Sequence, residues 1–513
     1  MLFVDWDGIG QRIKRQYWWL ETLHDRIRKQ LGVQLGYTGP VFARRDLTLR
    51  GNSLFWHKQV MGNTGSGKTE LLKQLIRQFI GKGIPFCLID PHSDLAESVL
   101  SYLMQAGFFQ QYTNRNTGEL SDKVLKKLVY VDFGIKDSEN RSSHFIPYNI
   151  LKQPYTRGDV AQDIVEVMLR LWPYLEQSSP QFQDILKNAV VVLIANDLPI
   201  VKLRSVLKNK PYREELLKQV SDPALHEYFH YSFDEWDARF APQMVESTLN
   251  KFSNLLFSDV LRYSLGQTEN SLKFDEFLRD GTCVIFNLGG VRREIKKLLG
   301  CLITLGMENA MYARYIIPPW KRTDYFFIID EFKQFINTSE DAVDVFLSEA
   351  RKFKVWLILA HQYLGQLTPE LVAALQNTQR LVLKLEDDAI SMAQRIGKYQ
   401  PDSEIDQIED EEARKRAHKH TFTARDEYEM LANDIKDLFV GEGFIRYKHK
   451  LEKFKAPYVP DSQTATGELQ KLKRWYADKL MVPRSTAVPT VNALFTQPQD
   501  TQTPHLFHHR SHH

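Results

Sequence analysis

Two apolar rhythms alternate along this chain. In "TELLKQLIRQFI", Leu71, Leu72, Leu75, Ile76 and Ile80 fall on one side of a helix. Between such segments stand short unbroken apolar runs: "IPFCLID" (84–90), "KLVYVDF" (127–133), "TCVIFNLGG" (282–290), "DYFFIIDEF" (324–332), "KVWLILAHQ" (354–362) and "TQRLVLKLE" (378–386). Runs of that length read as strands buried on both faces. Strands alternating with helices predict a parallel sheet covered on both sides, an α/β architecture. Short strands are also expected between Val41 and Met61, where His57, Lys58 and Gln59 dilute the apolar character. "EGFIRYKHK" and "APYVP" read as edge strands, and Ser93 or Asp94 as the cap of a helix.

The rhythm changes at about residue 155. From there to 276 the period is helical throughout, as in "DVAQDIVEVMLRLW" and "APQMVESTLNKFSNLLF". The expected layout is an N-terminal leader helix region at 1–40, one domain from 41–154 and 277–460, an all-helical domain inserted at 155–276, and a C-terminal extension at 461–513. The acidic then basic block at 401–420 reads as a solvated helix or loop. The extension is rich in Thr, Gln and Pro, with one amphipathic piece, "ELQKLKRWYADKL" (468–480), and is read as loosely held and partly disordered.

With 513 residues, 43% hydrophobic and 26% charged, the chain suits two or three ordinary domains of about 150 residues each. Lys plus Arg is 67 against 64 for Asp plus Glu. That balance excludes a coat of positive charge, so any nucleic acid must be met by local cations in a groove or channel. "RQYWWLETLHDRIRKQ", "GVRREIKK" and "RKRAHKHTFTAR" mix cations with aromatics or histidine, but they read first as solvated helix faces. Cys87, Cys283 and Cys301 form no C-x-x-C pair, so neither a zinc site nor a disulfide framework is indicated. No apolar run reaches the roughly 18 residues needed to cross a bilayer, and the N-terminus lacks a secretory leader. The expected location is cytoplasmic, with at most peripheral contact at the inner face of the cell membrane. The terminal "HHRSHH" is given no metal role.

Chemistry enters at "MGNTGSGKTELL". Its G-x-x-x-x-G-K-T needs Gly62, Gly65 and Gly67 so that backbone N–H groups can curl around phosphate oxygens. Asn63, Thr64 and Ser66 complete the loop. Lys68 would reach the β and γ phosphates of ATP, Thr69 would bind Mg²⁺, and the following helix would point its positive end at the anion. "YFFIIDE" supplies the second half: Asp330 to hold Mg²⁺ and Glu331 to position or deprotonate water. Gln362, at the tip of the 354–362 strand, can both donate and accept, and so can sense the γ phosphate. More chain lies between Lys68 and Asp330 than a minimal core needs; the helical insertion accounts for much of it.

"GNTGSGKTELL", "LIDPHSDLAE", "VIFNLGG", "FIIDEF" and above all "SEARKFKVWLILAHQYLGQL" resemble, in order over about residues 50–460, the coupling-protein ATPases of type IV secretion and conjugation. These belong to the HerA–FtsK group of DNA motors. The resemblance implies a RecA-like P-loop NTPase with a parallel-rich sheet flanked by helices and an inserted all-helical domain. It also implies a homohexamer that draws single- or double-stranded DNA through a central channel, with a relaxase and secretion-channel proteins as partners. Arg351, in "SEARK", matches the position that offers an arginine to a neighbour's γ phosphate; Arg292 and Arg293 are weaker alternatives. Ser93 departs from the glycine usual in "DPHGD". The family's familiar N-terminal membrane helices are not seen in this sequence, so membrane attachment is expected only through partners or weak peripheral contact. Two other readings are a secretion-assembly ATPase acting on protein subunits, or a HerA-like chromosomal DNA-processing translocase. An adaptor whose nucleotide site only controls assembly is disfavoured by the complete Asp-Glu pair.

Overall fold

The computed structural model describes residues 31–39, 43–172, 180–235, 241–335, 346–397, 424–447, 450–459 and 464–496. By internal contacts the chain divides into two compact units, one of residues 1–134 with 273–476, the other of 135–272 with the chain from 477 onward.

The first unit is built on an 11-stranded sheet. Seven strands run parallel, in the spatial order β10 (Gln379–Leu383), β3 (Lys58–Met61), β9 (Val355–His361), β8 (Tyr325–Ile329), β4 (Phe86–Asp90), β7 (Cys283–Asn287) and β5 (Leu128–Asp132). Most of these strands are buried along their whole length, as continuous apolar runs require. Beyond β10 the sheet turns antiparallel, through β11 (Glu442–Tyr447), β12 (Lys450–Lys455), β1 (Gly32–Thr38) and β2 (Arg45–Arg50).

β3 is buried despite its polar residues because each finds a partner. Lys58 Nζ donates to the carbonyls of Leu54 (2.5 Å) and Trp56 (2.9 Å). Burial draws its pKa down to about 7. Gln59 meets His361 on β9 at 2.8 Å. β3 leads into α1 (Lys68–Gly81), whose Leu71, Leu72, Leu75 and Ile76 are buried as the periodicity predicts. β4 leads into α2 (Asp94–Gln105).

Ser93 is the N-cap of α2, yet its hydroxyl does no capping; it donates to Asn287 Oδ1 at 2.8 Å. The cap comes from Asp90, whose Oδ2 accepts from the Ala96 N–H and Oδ1 from the His92 N–H, both at 2.8 Å. Ser93 holds φ +75, the left-handed conformation that glycine adopts freely. Its neighbour across the turn pays sterically: a Cβ on Gly289 would lie 1.9 Å from Ser93 Oγ.

The second unit packs the helices Arg157–Leu171, Pro180–Ala195 and Ala241–Leu256 with shorter ones around Ile164, Val165, Leu186, Ala189 and Leu249. It begins at Ile135, earlier than the expected 155, and is not wholly helical: β6 (His144–Phe145) pairs antiparallel with β13 (Val482–Pro483).

Three expectations need correction. Residues 32–38 of the supposed leader are strand β1, whose main partner β2 is a near neighbour in sequence. Residues 456–459 of "APYVP" leave the sheet, since Pro457 has no N–H to give. Residues 464–496 are not a loose tail. The helix Thr466–Leu480 seats Lys473 Nζ 2.7 Å from both Asp132 and Glu97, and buries Tyr476. Within the second unit, the helix Arg484–Thr496 buries Ala487 and Val491 with Phe145 and Tyr263. The leader before residue 31, the 401–420 block and the terminal histidines lie outside the described residues.

Candidate active site

Parallel strands end at a common edge, and chain leaving them there is brought together whatever its sequence separation. β3 ends at Met61 and the chain turns through residues 62–67 into α1. The turn closes with Ser66 N–H donating to the Asn63 carbonyl at 3.0 Å, while Asn63 N–H donates to Lys384 at 3.0 Å. Gly65 and Gly67 hold φ +79 and +98. Substitution at Gly67 is blocked twice over, since a Cβ would also stand 2.8 Å from Gly441 N. A Cβ on Gly62 would meet Ser66 Oγ at 2.4 Å. The Ser66 hydroxyl is buried without a hydrogen-bond partner, a polar group left over in the turn. A loop of this glycine-rich kind can turn its backbone N–H groups to a phosphate, and the Ser66 hydroxyl would add a donor to them.

β8 delivers Asp330 and Glu331 to the same edge. Lys68 Nζ donates to the Gly62 carbonyl at 2.7 Å and lies 3.7 Å from Glu331 Oε1. Burial lowers the Lys68 pKa, while Glu331 and Asp330 oppose that shift. β9 delivers Gln362, whose Nε2 donates to Glu331 Oε1 at 3.0 Å; its Oε1 is 3.5 Å from Thr64 Oγ1. Gln362 therefore ties loop and carboxylate together. Glu331 itself is held at φ +47, ψ +47, a left-handed conformation costly for a residue with a side chain. A cleft of about 460 Å³ opens here, lined by Asn63, Thr64, Gln362, Tyr363, Asp387 and Asp388 among others. Thr69 takes the second position of α1.

Asp330 is buried, and its pKa is pushed up to about 7, first by burial, then by the nearby carboxylates of Asp90 and Glu331, with Lys68 pulling the other way. A divalent cation would offset the negative charge that Asp330, Asp90 and Glu331 crowd together, so Asp330 is a side chain that could hold Mg²⁺. Asp90 is a third acid at this edge that sequence reasoning passed over. The signal was present: "CLID" ends in an acid just as "FIID" does, and β4 and β8 are neighbours in register. Burial also raises its pKa.

Arg351 is not at this edge. It lies before β9, exposed, with its guanidinium 4.1 Å above the Trp56 ring, and Trp56 precedes β3. The strands hold it at the far end of the sheet from the loop. Arg292 and Arg293 begin the helix Arg293–Ala313, which follows β7, so they lie along the same edge as the loop, both exposed.

Two other features do not compete. A hollow of about 420 Å³ at the far edge, lined by Arg77, Tyr102, Phe108, Tyr112 and Lys127 among others, holds no carboxylate. In the second unit Glu214, His230 and Asp234 cluster, but Asp234 is already paired with Arg213 and Lys210.

A glycine-rich phosphate cradle, its lysine and an Asp-Glu pair at one edge of a mostly parallel sheet define a P-loop nucleoside triphosphatase of RecA-like fold. A family model described as "Helicase HerA, central domain" matches residues 41–304, more than half of the chain. The chain belongs to this family of nucleotide-hydrolysing enzymes. Its fold is similar to that of the bacterial conjugative coupling protein TrwBdeltaN70, with TM-score 0.55 and 13% identity over 87% of this chain and 93% of that one. It is also similar to the plasmid coupling protein TrwB in complex with ADP and Mg²⁺ (TM-score 0.51, 14% identity, 80% and 87% covered). VirB4 of Thermoanaerobacter pseudethanolicus is similar at TM-score 0.49 and 12% identity, with 86% and 98% covered. At such identities these likenesses concern the fold. No curated protein matches the chain. No helix among the described residues is long and apolar enough to cross a membrane.

Proposed function

We propose that this chain is a Mg·ATP-dependent DNA translocase of the coupling-protein type. The observation that carries the reading is the linkage of Lys68, Glu331 and Gln362 around one phosphate cradle. Gly62, Asn63, Thr64, Gly65, Ser66, Gly67, Lys68 and Thr69 bind the phosphates. Thr69 and Asp330 would hold Mg²⁺, which would supply positive charge to the phosphates. Glu331 orients and deprotonates water, and Gln362 reports the terminal phosphate to Glu331.

Membership of a helicase family and a fold like that of a conjugative coupling protein favour DNA as the thing moved. The working form is a homohexamer with nucleotide between subunits, engaging a relaxase and channel proteins of a secretion or conjugation apparatus. It stays on the cytoplasmic side and reaches the membrane through those partners. Arg351 lies at the opposite end of the strands from its own cradle, so in this reading it is offered to a neighbour's nucleotide, with Arg292 and Arg293 as the alternatives.

The test is ATP turnover with and without single- and double-stranded DNA. Turnover should rise several-fold with DNA. Lys68→Ala should abolish it. Glu331→Gln should keep ATP binding and lower the rate by about 10²- to 10⁴-fold, the usual worth of a general base. A rate indifferent to every form of DNA overturns the translocase.

A further inference from the structure

The edge that carries the cradle has two flanks. On one side of β3 lie β9 and β8, with Gln362 and the acidic pair. On the other lie β10 and β11. Just before β11, residues Phe439–Glu442 make a tight turn, Glu442 N–H donating to the Phe439 carbonyl at 2.9 Å with Gly441 at φ +78. This turn is fastened to the cradle. Gly441 N–H donates to the Ser66 carbonyl at 3.0 Å, and the Gly441 carbonyl accepts from Ala456 N–H at 2.8 Å. Val440 Cγ1 reaches to 3.6 Å from where a Cβ on Gly67 would stand.

On this pinned turn the side chains of Phe439 and Val440 are 73% and 67% exposed. Two adjacent large apolar residues, exposed on a pinned turn that touches the phosphate cradle, offer apolar area beside it. A nucleotide whose terminal phosphate faces Lys68 and Glu331 has its base at the other end, away from the acids. We propose that Phe439 and Val440 form the platform on which the base of the bound nucleotide rests. The inference rests on the nucleotide site proposed above and adds the part of the ligand that the phosphate loop does not read. The two side chains offer area and no hydrogen bonds, so the platform takes a purine without choosing between adenine and guanine. Its pre-set backbone means little ordering is lost on binding.

The experiment compares binding of ATP, GTP and inorganic tripolyphosphate to the full chain and to Phe439→Ala and Val440→Ser, alongside sedimentation. Both positions are exposed, so folding is expected to survive, and retained tripolyphosphate binding reports an intact cradle. Stacking of a base on an aromatic ring is worth enough that Phe439→Ala should weaken ATP and GTP by about tenfold. Tripolyphosphate affinity should not move. Unchanged ATP affinity in Phe439→Ala overturns the platform. So does loss of assembly with ATP affinity intact, which would assign these side chains to a neighbouring subunit. Equal weakening of ATP and tripolyphosphate also overturns it, since the turn would then merely support the loop. If the unsubstituted chain binds neither ligand, the nucleotide site itself fails and the platform with it.

Discussion

His57 immediately precedes β3 and His361 ends the adjacent β9, both buried, and no carboxylate is among the charges that act on either. Gln59 donates to His361 Nε2, which leaves the proton on Nδ1, 3.3 Å from the Tyr363 carbonyl. His57 Nδ1 accepts the Leu357 N–H at 3.0 Å. Burial, before any other cause, lowers both pKa values from 6.5 to about 4. In the unfolded chain each takes a proton below pH 6.5, whereas in the folded chain each does so only below about pH 4. The unfolded state therefore binds more protons between those limits, and stability falls as pH drops from about 6.5 to 4. The two shifts together represent several kcal/mol, at about 1.4 kcal/mol per pH unit each. Melting temperature measured from pH 7.5 to 4.5 should fall steeply, and His361→Gln should flatten that fall; an unaltered slope would contradict the assignment. At this scale the sequence was most readable where chemistry is local. The cradle and Asp330-Glu331 are spelled in consecutive letters. Asp90 needed the pairing of β4 with β8, and Phe439 needed the docking of a turn on Ser66; no short window of sequence contains either fact.

Among elements, strands between helices announced themselves because burial on both faces leaves unbroken apolar runs. The elements that escaped notice are completed by partners distant in sequence. β1 gains its second neighbour, β12, from the far end of the chain, where Tyr37 faces Lys455. The helix Thr466–Leu480 shows an amphipathic period, but its sequence does not say what it packs against. It docks because one cation, Lys473, meets two acids on β5 and α2, Asp132 being itself buried. Removing that cation while leaving both acids in place should be costly, on the order of 3 kcal/mol, because it strands a buried charge. Lys473→Met should lower the melting temperature by a few degrees, and Lys473→Arg should lower it less. If methionine matches the unsubstituted chain, the helix is held by its apolar face alone.

At the scale of the whole molecule, the proposed ring needs each subunit to complete its neighbour's site. Arg351→Ala and Glu331→Gln should each be inactive alone, by about 10²-fold or more. Mixed rings of the two should regain part of the turnover, because some junctions then pair an intact Arg351 with an intact Glu331. No recovery on mixing, with mixed assembly verified, would show that Arg351 does not act in trans. The placement of Arg351 also has a mechanical side. Trp56, which seats it, enters β3, and Gly62, which opens the cradle, leaves it. Only five residues, His57 to Met61, separate the two ends, all of them buried, and the four of β3 are clamped between parallel strands. A rod that short and that tightly gripped has almost no slack. Displacement of the arginine's seat by a neighbour would arrive at the phosphate loop nearly undiminished, like a push on one end of a bolt.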